Sequence, residues 1–149
     1  RNIAVGDIDP AKFEAARAAG AIHTFDTREP DAAARLGALP GGLWGAVDLV
    51  GASATASIGY NALRKGGRYV VVGLFGGELP LSTVTMAQRA VTVQGSYVGS
   101  LQELREVVEL ARSGKLQPIP VSTCALDEVS EVLDRLKAGT VTGRVVAKV

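Results

Sequence analysis

Asp7 is the residue near the start of the chain whose side chain has the clearest chemical use. It ends a short apolar segment, Ile3-Ala4-Val5-Gly6, that is typical of a strand. In a dinucleotide-binding sheet, an acidic residue at the end of the second strand accepts hydrogen bonds from the ribose hydroxyls of adenosine. A carboxylate there also repels a 2′-phosphate, so Asp7 favours NAD over NADP.

Lys12 is a second candidate, because it lies on the first turn of the next predicted helix and could reach the same ribose. Asp9 and Pro10 are suited to begin that helix as N-cap and first helical residue, and Gly20 to close it. Both candidates have plainer interpretations. Asp is common at turns, and a lysine on a first turn is often just solvated, so the sequence alone leaves both roles open.

The elements that must position such residues centre on a strand–helix–strand crossover in the segment WGAVDLVGASATASIGYNALRKGGRYVVVGLFGG. Strands are predicted at Ala46–Val50 and Tyr69–Val72, because both segments suit a parallel sheet buried on two faces. A right-handed crossover then brings Gly51 and Gly73-Leu74 together at the carboxyl edge of the sheet, where open α/β folds bind ligands.

The ends of the central helix have their own signals. Ser53 or Thr55 is predicted to cap it with a side-chain oxygen. Gly66-Gly67 is predicted to end it, since glycine adopts the left-handed conformation without steric cost.

The other segments complete an alternating β/α order. The predicted elements are a strand at Ala21–Phe25, a helix around Asp31–Leu36, an edge strand at Leu79–Val84 with Pro80 in it, a strand at Val91–Ser96, a helix opened by the capping box Ser100–Glu103 and ended at Gly114, an extended segment held by Pro118 and Pro120, a helix around Asp127–Ala138 and a strand at Val145–Val149. This order predicts a doubly wound α/β domain with a parallel sheet whose first strand is missing.

Composition narrows the classes of partner. The chain has 149 residues, 47% of them hydrophobic, which is enough for a sizeable core. With 16 basic and 15 acidic residues the net charge is +1, and no basic run suggests nucleic acid or a membrane surface. We therefore expect small-molecule and protein partners.

Cysteine and histidine give little support for a metal site. Cys124 is the single cysteine and His23 the single histidine. They are far apart in sequence and have no partner ligand at metal-site spacing, so we expect no metal site in this chain. A single cysteine excludes an internal disulfide and fits a reducing compartment, which by itself gives no cytosolic address. The location that we expect is cytoplasmic.

Four segments together resemble the C-terminal half of medium-chain, zinc-type alcohol dehydrogenases. They are GDIDPAKFEAARAAGA, VDLVG followed by ALRKGGRYVVVGLFGG, VQGSYVGSLQELREVVELARSGKLQP and LDEVSEVLDRLKAGTVTGRVV. They occur in collinear order over essentially the whole chain. The resemblance implies a Rossmann-type dinucleotide-binding domain at 1–97 that lacks its first strand, and a segment at 98–149 that returns toward a catalytic domain.

The resemblance also implies residue roles. Asp7 and Lys12 match the ribose-binding pair, and Gly51 lies where the strand before the crossover passes the cofactor. The remaining matches are Val72, Gly73 and Leu74 beside the nicotinamide, Ser96, Tyr97 and Val98 at the carboxamide, and Arg144 at the pyrophosphate. From the residues alone, Arg144 offers a fork of donors that suits phosphate but could equally be a surface charge.

Some expected parts of the family are not found in this sequence. The glycine-rich turn of the cofactor site is absent, since Gly73-Leu74-Phe75-Gly76-Gly77 follows a later strand and has a different pattern. We therefore expect a longer dehydrogenase in which that turn, the zinc ligands and the proton relay precede Arg1. The resemblance further implies a homodimer or higher oligomer formed through the Leu79–Val84 edge.

The function expected is hydride transfer between a nicotinamide and an alcohol or carbonyl, with this chain inactive in isolation. A zinc-free quinone or enoyl reductase of the same superfamily is an alternative. A methyltransferase that uses S-adenosylmethionine is another, although such sheets finish with an antiparallel hairpin. A non-catalytic nucleotide-sensing module also stays open.

Overall fold

The computed structural model describes residues 2–116 and 119–149, and the chain forms two compact units, Arg1–Val98 and Gly99–Val149. The elements of the first unit are β1 (Ala4–Asp7), α1 (Phe13–Ala18), β2 (His23–Asp26), α2 (Ala32–Gly37), β3 (Leu43–Asp48), α3 (Ser53–Asn61), β4 (Leu63–Val71), α4 (Thr83–Arg89) and β5 (Thr92–Gly95). Those of the second unit are α5 (Leu101–Arg112), β6 (Val121–Ala125), α6 (Val129–Lys137) and β7 (Arg144–Lys148). Short 3₁₀ turns precede α1 at Pro10–Lys12 and α6 at Leu126–Glu128.

All strand pairings in the described part of the chain are parallel. In the first unit β1 pairs with β2, and a three-stranded sheet has the order β3-β4-β5. In the second unit β6 pairs with β7. The α/β class with parallel, crossover-connected strands is therefore confirmed.

The first helix begins as the sequence predicts. The carboxylate of Asp9 accepts a hydrogen bond from the N–H of Ala11 at 3.0 Å, Pro10 opens the turn, and Gly20 follows the helix with φ of +108°. An N-cap oxygen of this kind satisfies a donor that the first helical turn leaves free. It fixes where α1 starts relative to the end of β1.

The core of the first unit centres on Tyr69 of β4, which is 1% exposed. Ala56 and Tyr60 of α3, Leu63 of β4 and Val91 pack with it. Gly59 keeps the helix close to the strand, since an added Cβ would lie 3.1 Å from the Tyr69 ring. Asp48 is the buried charged residue of this region, at 7% exposure.

The predicted C-terminal end of the central helix was wrong, whereas Thr55 supplies a capping oxygen at its start as predicted. α3 ends at Asn61, and Gly66-Gly67 lie inside β4, where the pairing with β3 shifts register. The N-cap residue is Ala52, whose N–H donates to Thr55 Oγ1 at 3.2 Å. Leu63, on the far side of the two glycines, is 4% exposed and packs in the same core as Tyr69, so the strand continues through Gly66-Gly67 and the glycines mark a bulge instead.

The predicted edge strand at Leu79–Val84 was also wrong. Residues 77–82 form no regular element, and Ser82 caps α4, accepting a hydrogen bond from the N–H of Thr85. The strand β6 was missed, since VSTCA alternates weakly. The predicted extended conformation at Pro118 lies outside the described residues.

In the second unit the capping box is confirmed. Ser100 Oγ accepts from the N–H of Glu103 at 3.2 Å, and the Glu103 carboxylate accepts from the N–H of Ser100 at 2.6 Å. The predicted final helix is present as the 3₁₀ turn and α6, and the final strand as β7. An apolar cleft of about 300 Å³ lies between α6 and the β6–β7 pair.

Candidate functional site

The carboxylate of Asp7 is held at the end of β1 by its own turn. Its Oδ1 accepts from the N–H of Asp9 at 2.9 Å and from Lys12 Nζ at 3.4 Å. The side chain of Asp7 is 31% exposed. Within residues 2–116 and 119–149 no hydrogen bond reaches its Oδ2, so that oxygen is available to hydroxyl donors from a ligand.

The structure thus brings the two predicted ribose residues together. Lys12 lies on the 3₁₀ turn that Asp9 caps, one turn beyond Asp7, and about half of its side chain is exposed. Its ammonium has three N–H donors, so the contact with Asp7 leaves others for a ligand. The pair therefore offers one acceptor and one set of donors at the same strand end.

Asp26 is a neighbour of this site that the sequence analysis did not single out. It lies opposite Asp7 in the β1–β2 register. Arg28 donates to both of its oxygens, at 2.9 and 2.6 Å, and these hydrogen bonds lower the pKa of Asp26 to about 2. The D-x-R spacing after a strand is the signal that could have identified this pair.

The backbones at Gly51 and Gly73 are in contact, as the crossover predicts. Gly51 has φ of +74°, and a Cβ added there would collide with the carbonyl of Gly73. A Cβ on Gly73 would collide with the backbone of Val50. The ends of β3 and β4 therefore meet at a point where no side chain fits.

Asp48, at the end of β3, is a residue that the sequence analysis did not identify as functional. Its Oδ1 accepts from the N–H groups of Val50 and Gly51, both at 2.9 Å. Its Oδ2 accepts from Thr55 Oγ1 and from the Tyr69 hydroxyl, both at 2.8 Å. An acidic residue within an otherwise apolar strand was the available signal, since such a side chain needs buried partners.

Opposing effects act on this carboxylate. Burial, the largest single influence, raises the pKa of Asp48, but its hydrogen bonds from Gly51, Tyr69, Val50 and Thr55 together lower the pKa below the ordinary value. Burial and the bond to Asp48 raise the pKa of Tyr69. Asp48 is therefore ionised and Tyr69 is a protonated donor at neutral pH.

The predicted nicotinamide residues follow two adjacent strands. Val72, Gly73 and Leu74 come directly after β4, and Ser96, Tyr97 and Val98 come directly after β5. The N–H of Ser96 donates to the carbonyl of Val71 at 2.9 Å, so the two strands end at the same edge. Leu74 and Tyr97 are both at least three-quarters exposed, and Val98 has φ of +47°.

Arg144 lies in the second unit, at the start of β7. Its side chain is exposed, and its Nη1 donates to the carbonyl of Gly143 at 3.0 Å. It also lines the apolar cleft together with Cys124. No carboxylate pairs with Arg144 in the described part of the chain, so the guanidinium is available to an anionic ligand.

Within the described ranges, no group of three histidine, cysteine or acidic side chains is arranged to hold a metal ion. The rings of His23 and Phe25 have centroids 6.3 Å apart, and Cys124 is half-buried. None of the helices described has the length and apolar character needed to cross a membrane.

The chain is similar in sequence to known dehydrogenases along most of its length. Residues 2–113 match the family model for zinc-binding dehydrogenases. An alcohol dehydrogenase from Geobacillus stearothermophilus is 31% identical over 147 residues, which is 99% of this chain and 43% of that protein. A NAD-dependent alcohol dehydrogenase from Sulfolobus acidocaldarius is 39% identical over 107 residues, 69% of this chain and 30% of that protein.

The solved structures give the same result. The alcohol dehydrogenase of the archaeon Aeropyrum pernix superposes with a TM-score of 0.86 at 35% identity, over 97% of this chain and 42% of that one. The chain therefore spans less than half the length of these relatives.

Proposed function

The chain belongs to the zinc-binding dehydrogenase family, and from this premise we propose that it is the cofactor-binding portion of a NAD-dependent alcohol dehydrogenase or carbonyl reductase. The reaction is hydride transfer between the nicotinamide and an alcohol or carbonyl. The proposal makes residues 1–97 the dinucleotide-binding part and 98–149 a segment that returns toward a catalytic domain. The observation that carries it is the partly exposed Asp7 carboxylate at the end of β1, within a chain that matches the family over most of its length.

The residues at β1 fit the adenosine ribose of NAD. The ribose hydroxyls are donors, and Asp7 Oδ2 is an acceptor without a protein partner in the described chain. Lys12 supplies donors to the same hydroxyls from the other side of the carboxylate. A 2′-phosphate at this ribose would lie against the Asp7 carboxylate, whose Oδ2 has no protein donor in the described chain. Like charges in close proximity are unfavourable, so we assign NAD as the cofactor.

The loops after β4 and β5 fit the nicotinamide half. Leu74 presents an apolar, exposed side chain, and Gly73 exposes backbone where no Cβ is tolerated. Ser96, Tyr97 and Val98 leave β5 at the same edge and offer backbone groups to a carboxamide. In the second unit, Arg144 supplies the donors for a pyrophosphate.

Bound NAD supplies the hydride chemistry, and this chain supplies binding and orientation. Asp7 and Lys12 fix the ribose, while the loops after β4 and β5 hold the ring in one orientation and exclude water from one of its faces. None of the described side chains is proposed to transfer a proton. Zinc, where the full-length protein uses it, is proposed to be held by residues outside this chain, so the isolated chain should be inactive.

Cofactor titration of the full-length protein tests the proposal. NADH fluorescence should report binding that is at least tenfold tighter than for NADPH, a difference of about 1.4 kcal/mol. S-adenosylmethionine should not compete with NADH. Tight binding of S-adenosylmethionine without binding of either nicotinamide cofactor would overturn the assignment, although parallel pairing throughout the described sheets already disfavours a methyltransferase.

A zinc-free quinone or enoyl reductase of the same superfamily is the alternative within the family. Metal analysis of the full-length protein separates the two. Stoichiometric zinc together with alcohol oxidation supports the alcohol dehydrogenase, whereas a zinc-free protein that reduces quinones supports the alternative.

We also propose that the protein forms a homodimer or a higher oligomer. The segment Leu79–Val84 is not a strand, so the candidate for pairing is an edge of the β3-β4-β5 sheet, where β3 and β5 each pair with β4 alone in the described part of the first unit. Exposed ladder groups on an edge strand favour pairing with another chain. Light scattering at micromolar concentration should give at least twice the monomer mass.

A cytoplasmic location is proposed as well. Its support is the single cysteine, Cys124, whose thiol is free and which fits a reducing compartment. Fractionation of cells that carry the tagged full-length protein would test it.

A further inference from the structure

The segment that follows β4 is bound along its length to the segment that follows β3. The carbonyl of Asp48 accepts from the N–H groups of Val72 and Gly73, at 2.9 and 3.1 Å. Beyond these, the N–H of Phe75 donates to the Val50 carbonyl at 3.1 Å, and the N–H of Gly77 donates to the Gly51 carbonyl at 2.9 Å. We call these paired segments, 48–53 and 72–78, the double loop.

The far end of the double loop is closed by a side chain. The N–H of Glu78 donates to Ser53 Oγ at 2.8 Å. A Cβ added to Gly77 would collide with the backbone of Ser53, so the two segments touch there as they do at Gly51 and Gly73. The path of 72–78 is therefore set by the path of 48–53.

The path of 48–53 is in turn set by the side chain of Asp48. Its Oδ1 binds the N–H groups of Val50 and Gly51 and so holds Gly51 at φ of +74°. Its Oδ2 anchors the carboxylate to Thr55 of α3 and Tyr69 of β4. All four donors are neutral groups, and with four hydrogen bonds the carboxylate has no acceptor site left for a ligand.

We infer that Asp48 is a positioning residue for the cofactor, which acts through the double loop to place Gly73 and Leu74 against the nicotinamide. This inference rests on the proposed function. Leu74 and Phe75, both 79% exposed, have few side-chain contacts to fix them. Their position depends on the backbone hydrogen bonds to residues 48–53, and Asp48 aligns the acceptors of those bonds.

The test compares two variants of the full-length protein that each weaken the same carboxylate network. Asp48→Asn keeps the size of the side chain but removes the charge that aligns Val50 and Gly51. Tyr69→Phe removes only one bond, on the Oδ2 side, and leaves Oδ1 with both of its backbone donors. A merely structural role predicts that the two variants lose cofactor affinity in proportion to their loss of stability.

If Asp48 positions the double loop, the two variants should differ in their affinity for NADH. NADH affinity should fall about tenfold in Asp48→Asn and stay within about twofold of the parent in Tyr69→Phe, because charged hydrogen bonds to the turn are lost only in the first. Amide hydrogen exchange of the cofactor-free protein should be about tenfold faster at Phe75 and Gly77 in Asp48→Asn alone. Equal exchange rates in both variants, or unprotected amides at Phe75 and Gly77 in the parent, would overturn the inference.

Two further results keep the inference separate from the proposed function. If the parent binds no nicotinamide cofactor, the proposed function fails, but the exchange rates still decide whether Asp48 positions the double loop. If Asp48→Asn does not fold, Ser53→Ala replaces it, since it cuts the opposite end of the same pair of segments. In that variant the amide hydrogen of Glu78 should exchange faster and NADH binding should weaken about threefold. An unchanged exchange rate together with an unchanged NADH affinity would overturn the inference.

Discussion

The ends of β1 and β3 carry the same residue type in the same local arrangement and differ in what surrounds it. Asp7 and Asp48 each close a parallel strand, and each accepts a 2.9 Å hydrogen bond from the N–H two residues further on. Asp48 is 7% exposed and has four donors, whereas the Asp7 side chain is 31% exposed and keeps one oxygen without a donor in the described chain.

The Asp48 carboxylate stabilises the fold, whereas the Asp7 carboxylate can bind a ligand. A buried charge is tolerated only when its acceptor sites are filled, so Asp48 is saturated by the protein itself. A partly exposed one such as Asp7 is solvated at its open oxygen and exchanges water for ligand hydroxyls at small cost. The contrast predicts that substitutions at β3 act first on folding and those at β1 on binding.

The largest expected effect is on folding, from Asp48→Ala. The substitution leaves two backbone N–H groups and two hydroxyls without their buried acceptor, and we expect a loss of about 3 kcal/mol in the free energy of unfolding. Urea denaturation followed by circular dichroism measures it. The matched Asp7→Ala should lose less than about 0.5 kcal/mol, because that side chain is partly solvated. Equal losses at the two positions would remove the contrast.

Tyr69→Phe should have a smaller effect of the same kind. It deletes one hydrogen bond to a charged group in the core while keeping the ring, so the expected cost is about 1.5 kcal/mol in the free energy of unfolding. Tyr60→Phe is a suitable control, since the Tyr60 hydroxyl is buried without a partner in the described chain. A greater cost at Tyr60 than at Tyr69 would contradict the assigned network.

Acid should weaken the parent more than Asp48→Asn. The pKa of Asp48 is lower in the folded protein than in the unfolded chain. The ionised carboxylate therefore adds stability above the unfolded pKa, and that stability is lost as the pH falls through the folded pKa. Urea midpoints at about pH 7 and about pH 3 should differ more in the parent than in the variant. The same pH dependence in both proteins would exclude Asp48 as its source.

The smallest expected effect on stability comes from a substitution beside Asp26, at the end of β2. Arg28→Ala removes the hydrogen bonds that hold the pKa of Asp26 at about 2, so this pKa should rise toward its ordinary value of 3.8. Carboxyl NMR titration measures it. Stability at pH 7 should change little, because the Arg28 side chain is 62% exposed and solvent screens its charge. A pKa that stays near 2 would show that another group holds it.

Much of this arrangement follows from local signals in the sequence. The Asp9-Pro10 start, the Ser100–Glu103 capping box and the order of parallel strands could all be predicted, because each depends on a few neighbouring residues. Gly66-Gly67 was misassigned because a bulge and a helix end require the same backbone freedom. Asp48 was missed because its function depends on Thr55 and Tyr69, which only the folded crossover brings to it.

The most direct test of the central claim is the NADH affinity of Asp7→Asn in the full-length protein, measured beside its free energy of unfolding. The variant keeps the shape of the side chain and loses the charged acceptor, so NADH binding should weaken by about 1–3 kcal/mol while stability stays within about 0.5 kcal/mol of the parent. Equal NADH affinity in variant and parent would contradict the assignment of Asp7 to the ribose.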